Sequence, residues 1–406
     1  MKKPILLIFL YFLSFINSEA QWYIQYQSTG VIYDIRFIDK NTGWACGGGM
    51  ILKSTNGGTK WYSQNFYATF NQTHPVNDSV IYACGYYVIY KSVNGGENWI
   101  ALREGTDQAP ILYGLWFINE TTGWFCGDRV AMRTTDGGQT FIDSMFIDSQ
   151  LNDVHFKNYS TGNIAAWGRT YHTTNSGANW NPVTLPSPLA TPFTEKITFV
   201  GDTGWTVTRG RLVYRTTNYG IIWDSLARIP IEISETMISI EFADNMTGYA
   251  GGYVGKIFKT TNGGFNWFLS AQHGAGPYGS IYAYNRSIVW AVGGPGGGYI
   301  VNTLNGGLTN LSQIENLSIR KFELNQNYPN PFNPSTNIQY DLPSDNFVTI
   351  KVYNSLGKEV MSHINEYKTA GRYIVSFSGA DLSNGVYYYK IKAGGFEQVR
   401  KMVLLK

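Results

Sequence analysis

A nine-residue segment recurs along this chain and limits what it can fold into more than any other feature. Lys53-Ser54-Thr55-Asn56-Gly57-Gly58-Thr59-Lys60-Trp61 returns as Lys91-Ser92-Val93-Asn94-Gly95-Gly96-Glu97-Asn98-Trp99 and as Arg133-Thr134-Thr135-Asp136-Gly137-Gly138-Gln139-Thr140-Phe141. Later copies centre on Asn175, Asn218, Asn262 and Asn305, so the turn residue stands at 56, 94, 136, 175, 218, 262 and 305, in steps of 38 to 44 residues. Asn-Gly is a hairpin signal because both central residues of a type I′ turn need positive φ, and the apolar runs around each turn supply four short strands per unit. A four-stranded unit of ~40 residues cannot bury both faces alone, whereas units packed radially about an axis can. The repeat therefore predicts an all-β fold, a seven-bladed β-propeller over residues 21–310.

Composition agrees, with 16% aromatic residues, 45 glycines and only 15% charged residues, a balance suited to short strands and tight turns. Four units also carry a Thr-Gly-aromatic step, at Thr42-Gly43-Trp44, Thr122-Gly123-Trp124, Thr203-Gly204-Trp205 and Thr247-Gly248-Tyr249. A large aromatic follows the turn residue by five positions at Trp61, Trp99, Phe141, Trp180, Trp223 and Trp267, but the seventh unit has Asn310 there. Gln21-Trp22-Tyr23-Ile24-Gln25-Tyr26 resembles the strands that follow the turns, so Trp22 is expected to enter the last blade and close the ring, removing open sheet edges. The pattern Ser/Thr-x-Asn/Asp-x-Gly-x-x-Trp resembles the Asp-box (BNR) hairpin of sialidase-like and sortilin-type propellers. With the Thr-Gly-Trp step, the blades are most similar to photosystem II assembly-factor-like propellers. Asp-boxes mark structural turns in proteins of unrelated activity, so this resemblance implies a fold and not a function.

The two ends carry targeting information. Met1-Lys2-Lys3, an apolar run over residues 5–13 and Ser18-Glu19-Ala20 read as a secretory signal peptide over residues 1–20, and no later stretch is long and apolar enough to cross a bilayer. After a linker at 311–325, a β-sandwich is expected over 326–406, with alternating runs at Val348–Tyr353, Tyr373–Phe377 and Gly385–Ile391. Four blocks in this segment resemble the C-terminal sorting domain (type A) of type IX secretion cargo: Tyr328-Pro329-Asn330-Pro331-Phe332-Asn333-Pro334, the run 352–360 containing Gly357, the run 382–387 containing Gly385 and Tyr387, and the terminal run ending at Lys406. That resemblance implies engagement with the type IX secretion machinery and delivery to the medium or outer-membrane surface of a Gram-negative bacterium.

Signals for chemistry are sparse. A net charge of +3 on 406 residues does not point to nucleic acid. His74, His155, His172, His273 and His363 show no ligand spacing, no phosphate loop or nucleophile elbow is present, and neither metal nor cofactor is expected. Cys46, Cys84 and Cys126 each precede a glycine at one repeat position and read as buried strand residues. A basic residue stands three before the turn at Lys53, Lys91, Arg133, Arg215 and Lys259, with His172 in the fourth copy, and recurrence in nearly every blade is what a structural role predicts. Arg228-Ile229-Pro230 spells a short sialidase motif but lies mid-ring, where that family places it near the start, and the carboxylates Asp128 and Glu241 have no distinguishing context.

The unequal features are Arg129, Arg169, Arg209 and Arg211, near the hairpin that precedes the Asp-box in units three to five, and Tyr86 and Tyr87 in unit two. Arginines gathered at equivalent hairpins suit an acidic ligand, and aromatics there can stack on sugars. The expected function is a secreted or surface binding and scaffolding module for an extracellular peptide or polysaccharide. A secreted glycoside hydrolase of sialidase-like type is the alternative.

Overall fold

The computed structural model describes residues 22–406 apart from 106–108, 187–192, 232–234, 254, 274–275, 294, 308–321 and 369–370; the expected signal peptide, Asn310 and most of the 311–325 linker lie outside the described residues. The chain forms two compact units, Met1–Leu308 and Thr309–Lys406.

The first unit is built from short antiparallel strands in sequence order. In the fifth blade, Thr194–Val200, Thr203–Thr208, Leu212–Thr216 and Asp224–Arg228 pair one after another, and Met237–Phe242, Gly248–Gly252, Lys256–Thr260 and Phe268–Gln272 repeat this in the sixth. Blades one and two share a long strand, Tyr62–Pro75, which pairs with Gly43–Ser54 through its first half and with Ile81–Gly85 through its second. Ile142–Phe156 joins blades three and four in the same way. The seventh blade consists of Tyr278–Ala283, Val289–Gly293, Tyr299–Thr303 and, from the opposite end of the unit, Tyr23–Gln27. Among the described residues the propeller thus has seven four-stranded blades, and Trp22 leads in the strand that closes the ring. The first strand of each blade packs against the first strand of the next, so these strands line the axis.

The Asp-box is a self-contained hydrogen-bonded turn. Asn56 Oδ1 accepts from the Lys60 amide at 2.8 Å and Ser54 Oγ accepts from the Gly58 amide at 2.9 Å, and the pattern recurs in the other blades, as at Thr260 and Asn262. The positive φ values fall on Gly57 (70°) and Gly58 (88°) and not on Asn56, so the type I′ Asn-Gly turn expected from sequence is not the one formed. Asparagine is used here for its acceptor oxygen rather than for its tolerance of the left-handed region.

The Thr-Gly-aromatic step turns out to lock one blade to the next. Trp44 Nε1 donates to the Gly95 carbonyl at 3.2 Å, the Tyr82 hydroxyl to Gly137 at 3.1 Å, Trp124 to Ser176 at 2.9 Å, Trp205 to Gly263 at 2.9 Å, the Tyr249 hydroxyl to Gly306 at 3.2 Å and Trp290 to Gly57 at 3.2 Å. In blade four, where no aromatic stands, Asn163 Nδ2 makes the equivalent bond to the Tyr219 carbonyl at 2.9 Å. Every Asp-box is therefore held by the preceding blade. Four of these aromatics, Tyr82, Trp124, Trp205 and Trp290, also stack on the phenylalanine ending the next blade's first strand, as Trp205 does on Phe242 at 3.7 Å, and within a blade that phenylalanine fills the space above the motif glycine. A Cβ on Gly43 would lie 2.4 Å from the Phe37 ring, which excludes any larger residue. Lys91 and Lys259 reach the same turn carbonyls, Gly137 at 3.3 Å and Gly306 at 2.8 Å, and burial lowers the Lys259 pKa to about 8. Trp205→Phe keeps the stack and removes the bond, and should cost about 1–2 kcal/mol in a denaturant titration.

The second unit packs two sheets around one core. Glu323–Leu324, Ser335–Leu342 and Gly371–Ser378 face Glu359–Lys368, Asn346–Asn354, Gly385–Ala393 and Phe396–Leu404, with Ile338, Tyr340, Ile350, Tyr389, Ile391 and Leu404 buried between them. The proline-rich block is tied to the last strand: the Phe332 amide donates to Val403 O at 2.9 Å, the Leu405 amide to Phe332 O at 3.0 Å, and Asn330 Oδ1 accepts from the Val403 amide at 2.8 Å. Both prolyl bonds at Tyr328-Pro329 and Asn330-Pro331 are cis. Tyr387 donates to Ser383 O at 2.8 Å, and Lys406 Nζ to Ala380 O at 2.6 Å. Gly357 has a φ of 76° and Gly385 of 152°, backbone that favours glycine.

Candidate functional site

Antiparallel order puts the Asp-box turns and the first-to-second-strand turns at one end of the ring. The second-to-third-strand hairpins and the connections between blades lie at the other. The bonds agree: the Gly57 amide donates to Asn41 O at 2.8 Å at the first end, and the Gly105 amide to Tyr87 O and the Ile229 amide to Arg211 O, at 2.7 and 3.1 Å, at the second. Arg129, Arg169, Arg209, Arg211, Tyr86 and Tyr87 all belong to hairpins of the second end. Ile229 of the sialidase-like tripeptide is buried as a packing residue there.

Backbone geometry sets three of these residues apart. The residue just before the third strand is left-handed in blades one to six, and blades one, four and six use glycine, Gly49 (φ 75°), Gly168 (84°) and Gly255 (67°). Blades two, three and five instead place Tyr87 (64°), Arg129 (61°) and Arg211 (70°) there, at a cost of about 1–2 kcal/mol for each side chain. Turn formation does not require these side chains, since glycine makes the same turn elsewhere in the ring.

The hairpin face is aromatic as well as basic. Tyr86 and Tyr87 meet edge to face at 6.3 Å, Tyr113 donates to Asp128, and burial followed by the Asp128 charge raises the Tyr113 pKa. Asp128, without context in the sequence, thus adjoins the Tyr86–Tyr87 pair. Trp167 meets Phe193 edge to face at 5.0 Å. Arg209 is ion-paired with Glu195, whose pKa burial raises despite that arginine, and Arg211 donates to the Ile231 carbonyl. Arg129 and Arg169 are exposed at the hairpin tips of blades three and four.

A second polar set, on the axis, is one the sequence reading passed over. The third residue of each first strand is Asp34, Gln72, Gly114, Asp153, Lys196, Ser239 and Ser280, and the fifth is Arg36, His74, Trp116, His155, Thr198, Glu241 and Tyr282. Asp34 accepts from Ser280 Oγ at 2.7 Å and from the Thr73 amide at 3.0 Å, joining blades seven, one and two. Asp153 accepts from Gln72 Nε2 at 3.3 Å and the Ile197 amide at 3.2 Å, with Lys196 Nζ at 3.6 Å. Arg36 reaches across to Glu241 at 3.7 Å, and burial raises the Glu241 pKa to about 7 even against that pull. The histidines are not scattered in space: His74 and His155 flank the Trp116 ring at 4.8 and 4.0 Å. Reading down one strand position in all seven repeats would have exposed this set, because it varies where the rest of the repeat is constant. Asp34 and Asp153 spend their oxygens on neighbouring blades, which is a structural use.

Comparison with known proteins follows these features. Residues 326–405 match the secretion system C-terminal sorting domain, and residues 142–287 match the photosynthesis system II assembly factor YCF48. The photosystem II stability/assembly factor HCF136, chloroplastic, of Arabidopsis thaliana is 29% identical over 105 residues, 25% of this chain and 25% of that protein, so the chain spans about a quarter of the length of such curated relatives. Two solved structures, described as YCF48 bound to D1 peptide and YCF48 from Cyanidioschyzon merolae, superpose with TM-scores of 0.59 and 0.58 at 15% and 16% identity. Each covers 70% of this chain, and 97% and 98% of those chains respectively. The molecule carries a YCF48-like BNR propeller and a C-terminal sorting domain, and the latter indicates type IX secretion to the surface or surroundings of a Gram-negative cell.

Proposed function

We propose that this YCF48-like propeller, exported through its sorting domain, is an extracellular binding module that holds a macromolecular chain, peptide or polysaccharide, on its hairpin face. The observation that carries the reading is the placement of Tyr87, Arg129 and Arg211 in left-handed backbone where sister blades use glycine. Strain kept at hairpin tips, with Arg129 exposed and Tyr87 and Arg211 half-buried, points to a use for the side chains. A propeller of the same fold is described as bound to a peptide, which supports a ring of this kind holding an extended partner. The inter-blade duties of Asp34 and Asp153 favour binding over a carboxylate-pair hydrolase.

The test is an array of glycans and peptides probed with the full-length protein, read for retention and for product release. Retention without release is expected. Arg129→Ala, Arg169→Ala and Arg211→Ala together should weaken retention about tenfold or more with an unchanged circular dichroism spectrum. Unchanged retention would overturn the assignment of this face, and released product would make the protein a hydrolase.

A further inference from the structure

At the position that opens each second-to-third-strand hairpin, blades one to six carry Gly48, Tyr86, Asp128, Trp167, Arg209 and Tyr253. Every second blade therefore presents an aromatic ring, and all three rings are exposed, Tyr86 by 42%, Trp167 by 40% and Tyr253 by 51%. Each ring stands on a fixed base. The Tyr86, Trp167 and Tyr253 amides donate to the carbonyls of Thr69, Gln150 and Thr236, the residues leading into each blade's first strand, at 2.9, 3.1 and 2.9 Å. Tyr87 meets Tyr86 at an interplanar angle of 85°, and Phe193 meets Trp167 at 81°. Tyr33 and Tyr113, from the blades on either side, extend the first platform: burial and then Tyr86 raise the Tyr33 pKa, and burial, then Asp128, then Tyr86 and Tyr87 raise that of Tyr113.

The charges of this end answer one another. Arg209 pairs with Glu195, Lys256 with Glu235 at 2.7 Å, Arg211 donates to the Ile231 carbonyl, and Glu104 accepts from the Tyr90 hydroxyl at 2.5 Å. Along the hairpins and connections of this end the sequence places basic residues at 103, 129, 169, 209, 211, 228 and 256 and acidic ones at 104, 107, 128, 148, 195, 232 and 235, seven against seven. With no excess of either sign, the face gives a charged ligand no long-range advantage over a neutral one. What it does offer is flat aromatic surface edged with hydroxyl, indole and guanidinium donors. Platforms at a fixed position in alternate blades suit a ligand that is itself a repeat, and a pyranose covers such a ring with its C–H face while its hydroxyls meet the donors around it. A proline-rich peptide is also neutral, but it docks in grooves walled by aromatic rings. At 85° and 81° the paired rings here form no parallel-walled slot and leave single open faces. We infer that the aromatic row of the hairpin face binds a neutral polysaccharide, a β-linked glucan whose pyranose rings stack on Tyr86, Trp167 and Tyr253. This inference rests on the hairpin-face reading and narrows its ligand class.

The experiment is calorimetric titration of the full-length protein with three probes: cellohexaose, cellohexaose oxidised at C6 to the carboxylate, and decaproline. Cellohexaose should bind, with an affinity that shifts less than about twofold when salt is raised about tenfold, and the oxidised form should bind no tighter. Trp167→Ala with Tyr253→Ala should weaken binding about tenfold or more. Their anchoring bonds are made by the backbone and survive the substitutions. Tyr253→Ala alone, at the most exposed of the three rings, should lower affinity at an unchanged Tm, which guards against a variant that merely misfolds. Failure to bind cellohexaose, or tighter, salt-dependent binding of the oxidised form, overturns the inference. Decaproline bound in place of cellohexaose, and lost on the same substitutions, would assign the row to a peptide and leave the hairpin face standing. Cellohexaose binding that survives substitution of all three rings would overturn both readings.

Discussion

Trp22→Ala is expected to destabilise the propeller by about 3–5 kcal/mol, the range for truncating a buried tryptophan. Trp22 is buried, its Nε1 donates to Ser270 Oγ at 3.1 Å, and its ring meets Tyr249 edge to face at 6.2 Å. It also fills the space beside Gly307, where a Cβ would lie 2.2 Å from the indole nitrogen. The strand it anchors, Tyr23–Gln27, completes the seventh blade by pairing with Tyr299–Thr303, so the loss falls on the one seam where the ends of the propeller meet. Near the axis the same seam is held by Asp34 and Ser280, which Trp22→Ala leaves intact. All twelve tryptophans lie between residues 22 and 290, so tryptophan fluorescence in a guanidinium titration reports the propeller without contribution from the tail. Tyr23→Ala, exposed on the same strand, should stay within about 0.5 kcal/mol of the parent. A cost for Trp22→Ala no larger than that of Tyr23→Ala would show that the N-terminal strand does not clasp the ring.

Acidification is the second large effect. Burial, then the Arg36 charge, lowers the His74 pKa to about 4, while burial, then His74 and Arg36, lowers that of His155 to about 3. His74 Nε2 lies 3.1 Å from the Phe117 carbonyl, His155 Nδ1 lies 2.8 Å from the Tyr219 hydroxyl, and Trp116 separates the two rings. The unfolded chain takes up protons on both histidines below pH 6.5, whereas the folded ring refuses them until near its own lower values. The stability these groups contribute is complete above pH 6.5 and is lost as pH falls toward 4. Glu241 works in the opposite sense: with its pKa raised to about 7, its contribution is present below 4.5 and lost as pH rises to 7. Two histidines outweigh one carboxyl, so between pH 6.5 and 4.5 stability should fall by a net amount of about 2–3 kcal/mol, at about 1.4 kcal/mol per pKa unit. Urea midpoints measured as pH is lowered across this range should decline in the parent and rise in the His74→Gln, His155→Gln double variant, where Glu241 acts without the histidines opposing it. Parallel curves would mean that the axial histidines accept protons freely.

Much of the architecture could be read before any coordinates, and for local reasons. An Asp-box is closed by atoms within five residues of one another, so Ser54, Asn56, Gly57 and Gly58 announce their turn wherever they recur. Counting those turns leads to seven blades, and the lone gap at Asn310 points back to Trp22. The sorting tail is legible for a similar reason, since the Tyr328–Pro334 block and the terminal run are contiguous words of sequence, although their mutual hydrogen bonds are not. The turn type was misjudged because Asn-Gly has two uses, as a left-handed pair or as an acceptor followed by two left-handed glycines, and only the backbone distinguishes them.

The site was less legible because it is assembled across the ring. Arg36 and Glu241 are separated by 205 residues in the sequence, yet they approach within 3.7 Å, and nothing near either one advertises the other. His74, Trp116 and His155 become neighbours only because each is the fifth residue of a strand that lines the axis. Arg129 and Tyr87 could be noticed by type, but that they occupy strained backbone which glycine fills in sister blades is a property of dihedral angles. Sequence by itself determined the blade, the number of blades, the closing strand and the export signal, because turn chemistry and strand alternation act between residues close along the chain. Radial packing alone decided which side chains meet on the axis and on the hairpin face, because a closed ring brings together one residue from each unit regardless of the forty or so positions between them.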